Sequence, residues 1–328
     1  MKPVILLTGR NGQVGSELAQ LLPLMGELVA FSRNELDLSD TAAIRATVRN
    51  IRPQIIVNAA AYTAVDAAEN DRAAACAING EAPGILADEA KRIDAFLVHY
   101  STDYVFDGSK SAPYEECDAT APANIYGETK LAGEQAIRDS GAHHFVFRTS
   151  WVYSTRGKNF LRTILRLATA NNELRVVRDQ TGSPTWSYEI AAATAKILAM
   201  FAGEENRQAL TEASGTYHMT AAGQASWYDF AGAILDEAAQ APTDIPWLAD
   251  TTGSRPLIAH SVIPISTKDY ATPAIRPAYS VLSNALLRRT FGVALPDWRM
   301  QLRCFFRSSC GRPDALVCRM PPSAATSE

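Results

Sequence analysis

The chain has 328 residues, of which 47% are hydrophobic and 20% charged, a balance typical of globular proteins and not of disordered ones. Its formal net charge of −4 argues against a protein that coats nucleic acid, because such proteins normally carry a basic surface. Its apolar runs are all shorter than a membrane span, and the N-terminal one is too short for a signal peptide. We therefore expect a cytoplasmic protein with neither nucleic acid nor a membrane as partner.

Short apolar runs alternate with helical patterns through the first 150 residues. The predicted strands cover residues 4–7, 28–31, 55–57, 95–100 and 145–147, and the first two predicted helices cover 13–22 and 42–50. Strands that are apolar throughout and separated by helices predict a parallel sheet covered on both faces. The predicted fold class is therefore α/β, with a Rossmann-like doubly wound parallel sheet.

The pattern becomes less regular after residue 150. Helical stretches at 159–170, 189–201 and 227–239 alternate with loops that contain Pro and Gly. We expect residues 1–150, together with about 175–205, to form a dinucleotide-binding domain, and residues 151–302 to supply a smaller, interleaved substrate-binding portion. Arg, Ser, Pro and Cys dominate residues 303–328 without periodicity, which predicts a disordered tail.

A glycine-bearing turn follows the first predicted strand and opens the first predicted helix. Gly9, Gly12 and Gly15 have the spacing G-x-x-G-x-x-G, one residue wider at the first gap than the standard dinucleotide fingerprint. Glycines here let the backbone turn sharply and approach a pyrophosphate, while the helix N-terminus offers N–H groups to the anion. The turn therefore predicts a dinucleotide cofactor.

The end of the second predicted strand indicates which dinucleotide is bound. NAD-selective proteins place a carboxylate there, whereas this chain has Ser32 and Arg33. A guanidinium pairs well with a 2′-phosphate, and Arg10 in the glycine turn could add to the same positive field. The pattern favours NADPH, with NADH as the alternative cofactor.

A tyrosine and a lysine four residues apart supply candidate chemistry. Tyr126 and Lys130 share one face of a predicted helix, so the phenol and the ammonium point into the same space. A neighbouring cation stabilises a phenolate and lowers the pKa of the tyrosine, which would let Tyr126 protonate a developing alkoxide. Ser101 or Thr102, at the end of the preceding strand, could hold a substrate carbonyl, and strand alternation alone does not choose between them.

Several longer stretches resemble the extended short-chain dehydrogenase/reductase family, and within it the reductases of dTDP-linked 4-keto-6-deoxysugars. They include HYSTDYVF at 99–106, NIYGETKLAGE at 124–134 and RTSWVY at 148–153, and the resemblance covers about residues 1–300. It implies an oxidoreductase that uses NADPH to reduce the C4 ketone of dTDP-4-dehydro-β-L-rhamnose to dTDP-β-L-rhamnose. The implied pathway is the synthesis of cell-surface polysaccharide such as lipopolysaccharide O-antigen.

The same resemblance implies roles for individual residues. Thr102, Tyr126 and Lys130 would form the catalytic trio, which selects Thr102 over Ser101 on this ground alone. Asp103 and Trp151 would contact the deoxysugar. Together with the residues argued above, the expected cofactor-binding set is Gly9, Gly12, Gln13, Val14, Gly15, Ser32, Arg33, Asp37, Leu38, Ala61, Tyr62, Thr63, Tyr100, Tyr126 and Lys130.

The resemblance also implies a metal and an assembly. Some family members form homodimers around a magnesium ion held by acidic residues, and Glu17, Glu189 and Asp297 match those positions. Carboxylate oxygens are ligands that suit Mg²⁺. Two alternatives stay open at this stage. The first is another reductase, an epimerase or a dehydratase of a nucleotide sugar, and the second is a regulatory subunit that binds NADP without turnover.

Overall fold

The computed structural model describes residues 2–201, 206–242 and 245–308. The strands in this part of the chain are β1 Val4–Thr8, β2 Glu27–Phe31, β3 Ile55–Asn58, β4 Phe96–Thr102, β5 His144–Thr149, β6 Val152–Tyr153, β7 Glu173–Val177, β8 Thr181–Gly182, β9 Thr185–Trp186, β10 Gly215–His218, β11 Ala225–Ser226 and β12 Ser261–Ile265. Among the described residues, six parallel strands form the central sheet in the order β10-β5-β4-β3-β1-β2.

Helices cover both faces of this sheet. The helices of the described ranges are α1 Gln13–Leu21, α2 Thr41–Ile51, α3 Val65–Ala68, α4 Arg72–Ala75, α5 Ala82–Ile93, α6 Ile125–Ser140, α7 Phe160–Ala168, α8 Ser187–Met200, α9 Arg207–Glu212, α10 Trp227–Gln240, α11 Pro246–Thr252, α12 Ala285–Phe291 and α13 Trp298–Arg307. Leu18 of α1 and Ile190 of α8 lie in the core on one face, and Leu86 of α5 and Ile137 of α6 lie in the core on the other. The predicted doubly wound α/β fold is confirmed.

A second hydrophobic core lies outside the central sheet. Leu161 of α7, Phe230 of α10, Trp247 of α11 and Phe305 of α13 are buried together there. Helix α10 begins at a capping box, in which the Ser226 side chain and Asp229 satisfy each other's backbone N–H groups. Outside the central sheet, β6 pairs with β9, β8 with β11, and β7 with β12.

Two features of the second half of the chain add to the sequence prediction. Strand β10 extends the central sheet beside β5, although it lies within residues 151–302, which were expected to supply the interleaved substrate-binding portion. Residues 303–307, expected in a disordered tail, continue α13 and bury Phe305 and Phe306 against the second core. Apolar residues at helical spacing give α13 a stripe that faces this core. Residues 309–328 lie outside the described residues.

Candidate active site

A cleft of about 440 Å³ opens at the carboxyl ends of β1, β3 and β4. The chain leaves β1 toward β2 on one side and continues to β3 on the other, and such a change of strand order is where doubly wound sheets bind ligands. The cleft is lined by Gly9, Asn11, Gly12, Gln13, Val14, Arg33, Leu36, Asp37, Leu38, Ala59, Ala60, Ala61, Tyr62, Thr63, Ile78, Tyr100, Ser101, Tyr126, Lys130, Thr149, Val152, Gly157 and Lys158.

Most of the expected cofactor-binding residues line this cleft. Gly15 and Ser32 are the members of that set that lie outside the lining, and Thr102, Asp103 and Trp151 lie outside it too. Ala59 and Ala60 were missed, although their position directly after β3 was a usable signal because strand ends meet at this edge. Gly157 and Lys158 were also missed, and no local pattern pointed to them.

The glycine turn is built by close backbone approach. Gly9 has φ +72°, and a Cβ there would lie 2.7 Å from the Ala60 nitrogen. A Cβ on Gly15 would lie 2.1 Å from the Gly9 carbonyl oxygen, so the lack of a side chain at Gly15 lets α1 pack closely against the turn. Gly12 is the N-cap of α1 and makes no side-chain capping bond. The first N–H groups of α1 are therefore offered to the cleft and not to a side chain.

Helix α6 presents Tyr126, Lys130 and Glu134 on successive turns of one face. The helix begins after Asn124, whose Oδ1 accepts a hydrogen bond of 2.8 Å from the Gly127 nitrogen. A Cβ on Gly127 would lie 2.2 Å from the Tyr104 carbonyl oxygen, so glycine lets this end of α6 approach the chain that follows β4. The local sequence thus delivers Tyr126 and Lys130 to the cleft.

Lys130 is buried below the cleft, with a relative exposure of 1%. Its Nζ donates to the Tyr100 carbonyl oxygen at 2.6 Å and lies 3.1 Å from Nε2 of His99. Burial lowers the pKa of Lys130 to about 8, and the charge of Glu134 acts in the opposite direction. Lys130 therefore changes charge close to neutral pH.

The expected lowering of the Tyr126 pKa is wrong for this structure. Burial raises the pKa of Tyr126 to about 12, while a hydrogen bond with Thr102 acts in the opposite direction. The charge of Asp103 adds to the increase caused by burial. Tyr126 thus keeps its proton throughout the neutral range.

The structure gives the two hydroxyls at the end of β4 different partners. Ser101 Oγ donates a bond of 2.6 Å to Glu134, which also pairs with Arg148 below the site. Thr102 Oγ1 donates to Asp103 Oδ1 at 3.0 Å and is the hydroxyl that meets Tyr126. Burial raises the pKa of Asp103 to about 7. Of the two hydroxyls, Thr102 is therefore the one beside Tyr126.

The region expected to meet the 2′-phosphate contains an acid that the sequence analysis overlooked. Arg33 lines the cleft and is exposed, but Arg10 donates a bond of 2.8 Å to Glu35. The other Glu35 oxygen accepts from the Ser32 nitrogen at 2.8 Å and from its hydroxyl at 2.7 Å. Arg10 is thus paired with Glu35, whereas Arg33 lines the cleft. Asp37, also in the lining, accepts from Ser39.

Trp151 makes an aromatic contact that the amino-acid sequence did not predict. Its ring stacks on Trp227 with centroids 3.4 Å apart, and its backbone has φ +46°, which is uncommon for a bulky residue. Gly182 leaves the space for this ring, since a Cβ there would lie 2.5 Å from it. The expected contact of Trp151 with a sugar stays a prediction.

Two walls bound the cleft. The sheet wall consists of the glycine turn, the carboxyl ends of β3 and β4, and the first turns of α6. The bridge wall consists of residues 152–159, and it is held to the sheet wall by Gln13. Gln13 Oε1 accepts from Ser154 Oγ at 3.1 Å and from Asn159 Nδ2 at 2.9 Å. A residue expected to bind the cofactor therefore also joins the walls.

The predicted magnesium ligands do not form a site within this chain. Among the described residues, no group of three or more His, Cys, Asp or Glu side chains is placed to hold a metal ion. Glu17 lies in α1, Glu189 lies in α8 with its pKa raised to about 7 by burial, and Asp297 caps α13. The expected Mg²⁺ is not supported. Nor does any helix in the described ranges have the length and apolarity to cross a membrane.

Comparison with known proteins places the chain in a family. Residues 1–309 match the family described as RmlD substrate binding domain. The dTDP-4-dehydrorhamnose reductase of Burkholderia thailandensis is 51% identical over 295 residues, which are 90% of this chain and 95% of that protein. The dTDP-4-dehydrorhamnose reductase of Escherichia coli K12 is 41% identical over 303 residues, which are 91% of this chain and 95% of that protein.

A solved structure agrees with these sequence matches. The crystal structure of dTDP-4-dehydrorhamnose reductase from Bacillus anthracis in complex with NADP superimposes with a TM-score of 0.81. It is 34% identical, and the match covers 93% of this chain and 99% of that one. The family and the oxidoreductase class expected from the sequence are confirmed. The chain belongs to the dTDP-4-dehydrorhamnose reductase family.

Proposed function

We propose that this chain uses NADPH to reduce the C4 ketone of dTDP-4-dehydro-β-L-rhamnose, giving dTDP-β-L-rhamnose. The observation that carries the proposal is the meeting of Tyr126 and Lys130 with the glycine turn in one cleft. The names of relatives that match nine-tenths of the chain support the sugar nucleotide. The NADP named for the Bacillus anthracis structure supports the cofactor.

The cleft fits a dinucleotide in both chemistry and shape. Gly9 lets the turn pack against the backbone of Ala59 and Ala60, and the N-terminus of α1 supplies N–H donors for a pyrophosphate. Arg33 is the cation available to a 2′-phosphate, and Asp37 and Leu38 lie beside it in the lining. Ala61, Tyr62, Thr63 and Tyr100 continue the lining toward Tyr126. The cofactor, when bound, supplies the hydride.

Tyr126 gives the proton that converts the reduced carbonyl oxygen into a hydroxyl. Its raised pKa keeps the phenol protonated at neutral pH, so the donor is in the required form before reaction. Thr102, hydrogen-bonded to Tyr126, holds the ketone oxygen near the phenol. Lys130 provides positive charge below the Tyr126 ring, which lowers the free energy of the phenolate that proton transfer leaves on Tyr126. Asp103, next to Thr102, and Trp151 are the side chains proposed to contact the deoxysugar.

Several finer expectations stay predictions. They are the division of the chain near residue 150 into a dinucleotide-binding domain and an interleaved substrate-binding portion, a homodimer, and a cytoplasmic location. NADH as a second cofactor also stays a prediction.

The test is steady-state oxidation of NADPH by the full chain on addition of dTDP-4-dehydro-β-L-rhamnose. We expect turnover in the wild-type protein and a loss of about 10²- to 10⁴-fold in kcat for Tyr126→Phe, the range for removing a general acid. The matched control is Tyr114→Phe. Tyr114 is also buried and donates a bond of 2.8 Å to Asp107, but it lies outside the cleft lining.

Each rival function gives a different result. An epimerase or a dehydratase takes a hydride from the sugar onto its bound cofactor and then returns it to the sugar, so it would convert the sugar without net oxidation of NADPH. A regulatory subunit would bind NADPH tightly and oxidise none. Equal losses of kcat in Tyr126→Phe and Tyr114→Phe would contradict the role given to Tyr126.

A further inference from the structure

A row of buried polar side chains crosses the central sheet below the cleft. Thr8, Asn58 and His99 are paired neighbours on β1, β3 and β4. Thr8 Oγ1 donates to Asn58 Oδ1 at 2.6 Å, and Asn58 Nδ2 lies 3.1 Å from His99 Nδ1. Nε2 of His99 lies 3.1 Å from Lys130 Nζ, so the row ends on the lysine of the proposed active site. Thr8, Asn58 and His99 are at most 1% exposed.

Every member of the row can both donate and accept a hydrogen bond. With the Asn58 amide oriented as above, Nδ1 of His99 accepts, and its Nε2–H faces an unprotonated Lys130 amine. When Lys130 carries its third proton, the row reverses. Nε2 then accepts from the ammonium, Nδ1–H donates to the Asn58 oxygen, and the Asn58 amide donates to Thr8. Lys130 therefore changes charge without leaving a buried group unpartnered.

We propose that His99 is a positioning residue, which holds the Lys130 amino group below Tyr126 and supplies it with a partner in both charge states. The inference rests on the proposed function, in which Lys130 supports proton transfer from Tyr126. His99 itself lies outside the cleft lining and acts only through Lys130.

Few charged groups compete with this interaction. On α6, Glu134 favours the ammonium form of Lys130, and Tyr126 lies one turn away. On β5, Arg148 is paired with Glu134, and the ring of His144 opposes protonation of His99. Burial lowers the pKa of His99 well below its usual range, so His99 stays a neutral imidazole beside Lys130. Its contribution is then a hydrogen bond and not a charge.

The experiment measures the titration of Lys130 directly. The chain contains seven lysines, so ¹³Cε-lysine NMR gives few signals, and the Lys130→Arg variant identifies the one to follow. In the wild-type protein we expect the signal to titrate near pH 8. In His99→Leu both forms of Lys130 lose a partner, but the ammonium loses the stronger, charge-assisted bond, so the midpoint should fall by about one pH unit. His99→Gln keeps an amide near the Nε2 position and should return the midpoint toward the wild-type value.

Two further variants keep the test decisive. His218→Leu removes another fully buried histidine of the same sheet and should leave the Lys130 midpoint unchanged. If His99→Leu does not fold, Asn58→Ala releases the other end of the imidazole and should shift the midpoint in the same direction. The proposal would be overturned if the Lys130 midpoint does not shift in His99→Leu, or in Asn58→Ala where that variant replaces it. It would also be overturned if His99→Gln shifts the midpoint as much as His99→Leu does.

The readout also separates this inference from the proposed function. The NMR titration needs no turnover, so its result stands whether or not the sugar nucleotide is reduced. If NADPH is oxidised as proposed, the alkaline limb of kcat/KM should follow the Lys130 midpoint and move to lower pH in His99→Leu. A limb that moves while the NMR midpoint does not would assign the change to another group and overturn the role of His99.

Discussion

The two walls of the cleft are stabilised in different ways. The sheet wall depends on backbone contacts and on side chains at neighbouring positions of adjacent strands, as in the row from Thr8 to His99. The bridge wall depends on side chains that join residues far apart in the sequence, such as Gln13 and Asn159. Its short strand β6 pairs with β9 over two residues only. The sheet wall is therefore expected to be rigid, and the bridge wall to be the part that a single substitution can release.

The largest expected effect is on the buried ion pair beneath the sheet wall. Glu134 and Arg148 meet at 2.7 Å with side-chain exposures of 0% and 4%. Glu134→Gln leaves a buried guanidinium without its counter-charge, so we expect the free energy of unfolding to fall by about 3–5 kcal/mol in urea titrations. The control is Glu128→Gln, which breaks the exposed pair with Arg72 and should cost less than about 1 kcal/mol. Similar losses in the two variants would show that burial does not distinguish these pairs.

The next effect concerns the glycine turn. In Gly15→Ala the new Cβ would meet the Gly9 carbonyl oxygen, a backbone atom that cannot turn away. We expect a loss of about 1–3 kcal/mol in stability, with weaker NADPH binding in fluorescence titrations because the turn must shift. Gly232→Ala is the matched control, because a Cβ there has nothing within 4 Å and lies inside α10. It should be neutral or stabilising. Unchanged NADPH affinity in Gly15→Ala would show that the turn adapts.

The difference between the sheet wall and the bridge wall also explains which residues of the site could be predicted from the sequence. Gly9, Gly12, Tyr126 and Lys130 were found because their function depends on local spacing after a strand or along one helix. Lys158 was missed because it reaches the cleft only through packing of the bridge wall, which no local pattern records.

Electrostatic details were predictable only in part. The acid beside Arg10 was missed because Glu35 turns back to Ser32 through a loop. The predicted direction of the Tyr126 pKa shift was wrong because burial of the phenol, which no sequence pattern measures, outweighs the hydrogen bond with Thr102. Local motifs therefore identify the candidate reacting side chains, whereas the protonation states of these side chains depend on burial by segments that are distant in the sequence.

The smallest effect tests the bridge wall itself. Asn159 caps α7 by accepting from the Arg162 nitrogen, and its Nδ2 donates to Gln13 and to the carbonyl oxygens of Ser154 and Arg156. Asn159→Asp keeps the cap and loses the donor, so α7 should persist while the wall separates from Gln13. We expect about 1 kcal/mol less binding energy for NADPH, or roughly fivefold weaker affinity by titration.

Asn159→Ala separates the two roles of this side chain. It loses the cap as well as the donor, so it should weaken NADPH binding as much as Asn159→Asp and lower the free energy of unfolding by about a further 1 kcal/mol. If only the stability changes and NADPH affinity stays at the wild-type value in both variants, the bridge wall does not contribute to cofactor binding. Binding would then depend on the sheet wall alone, and Gly157 and Lys158 would border the cleft without acting on its contents.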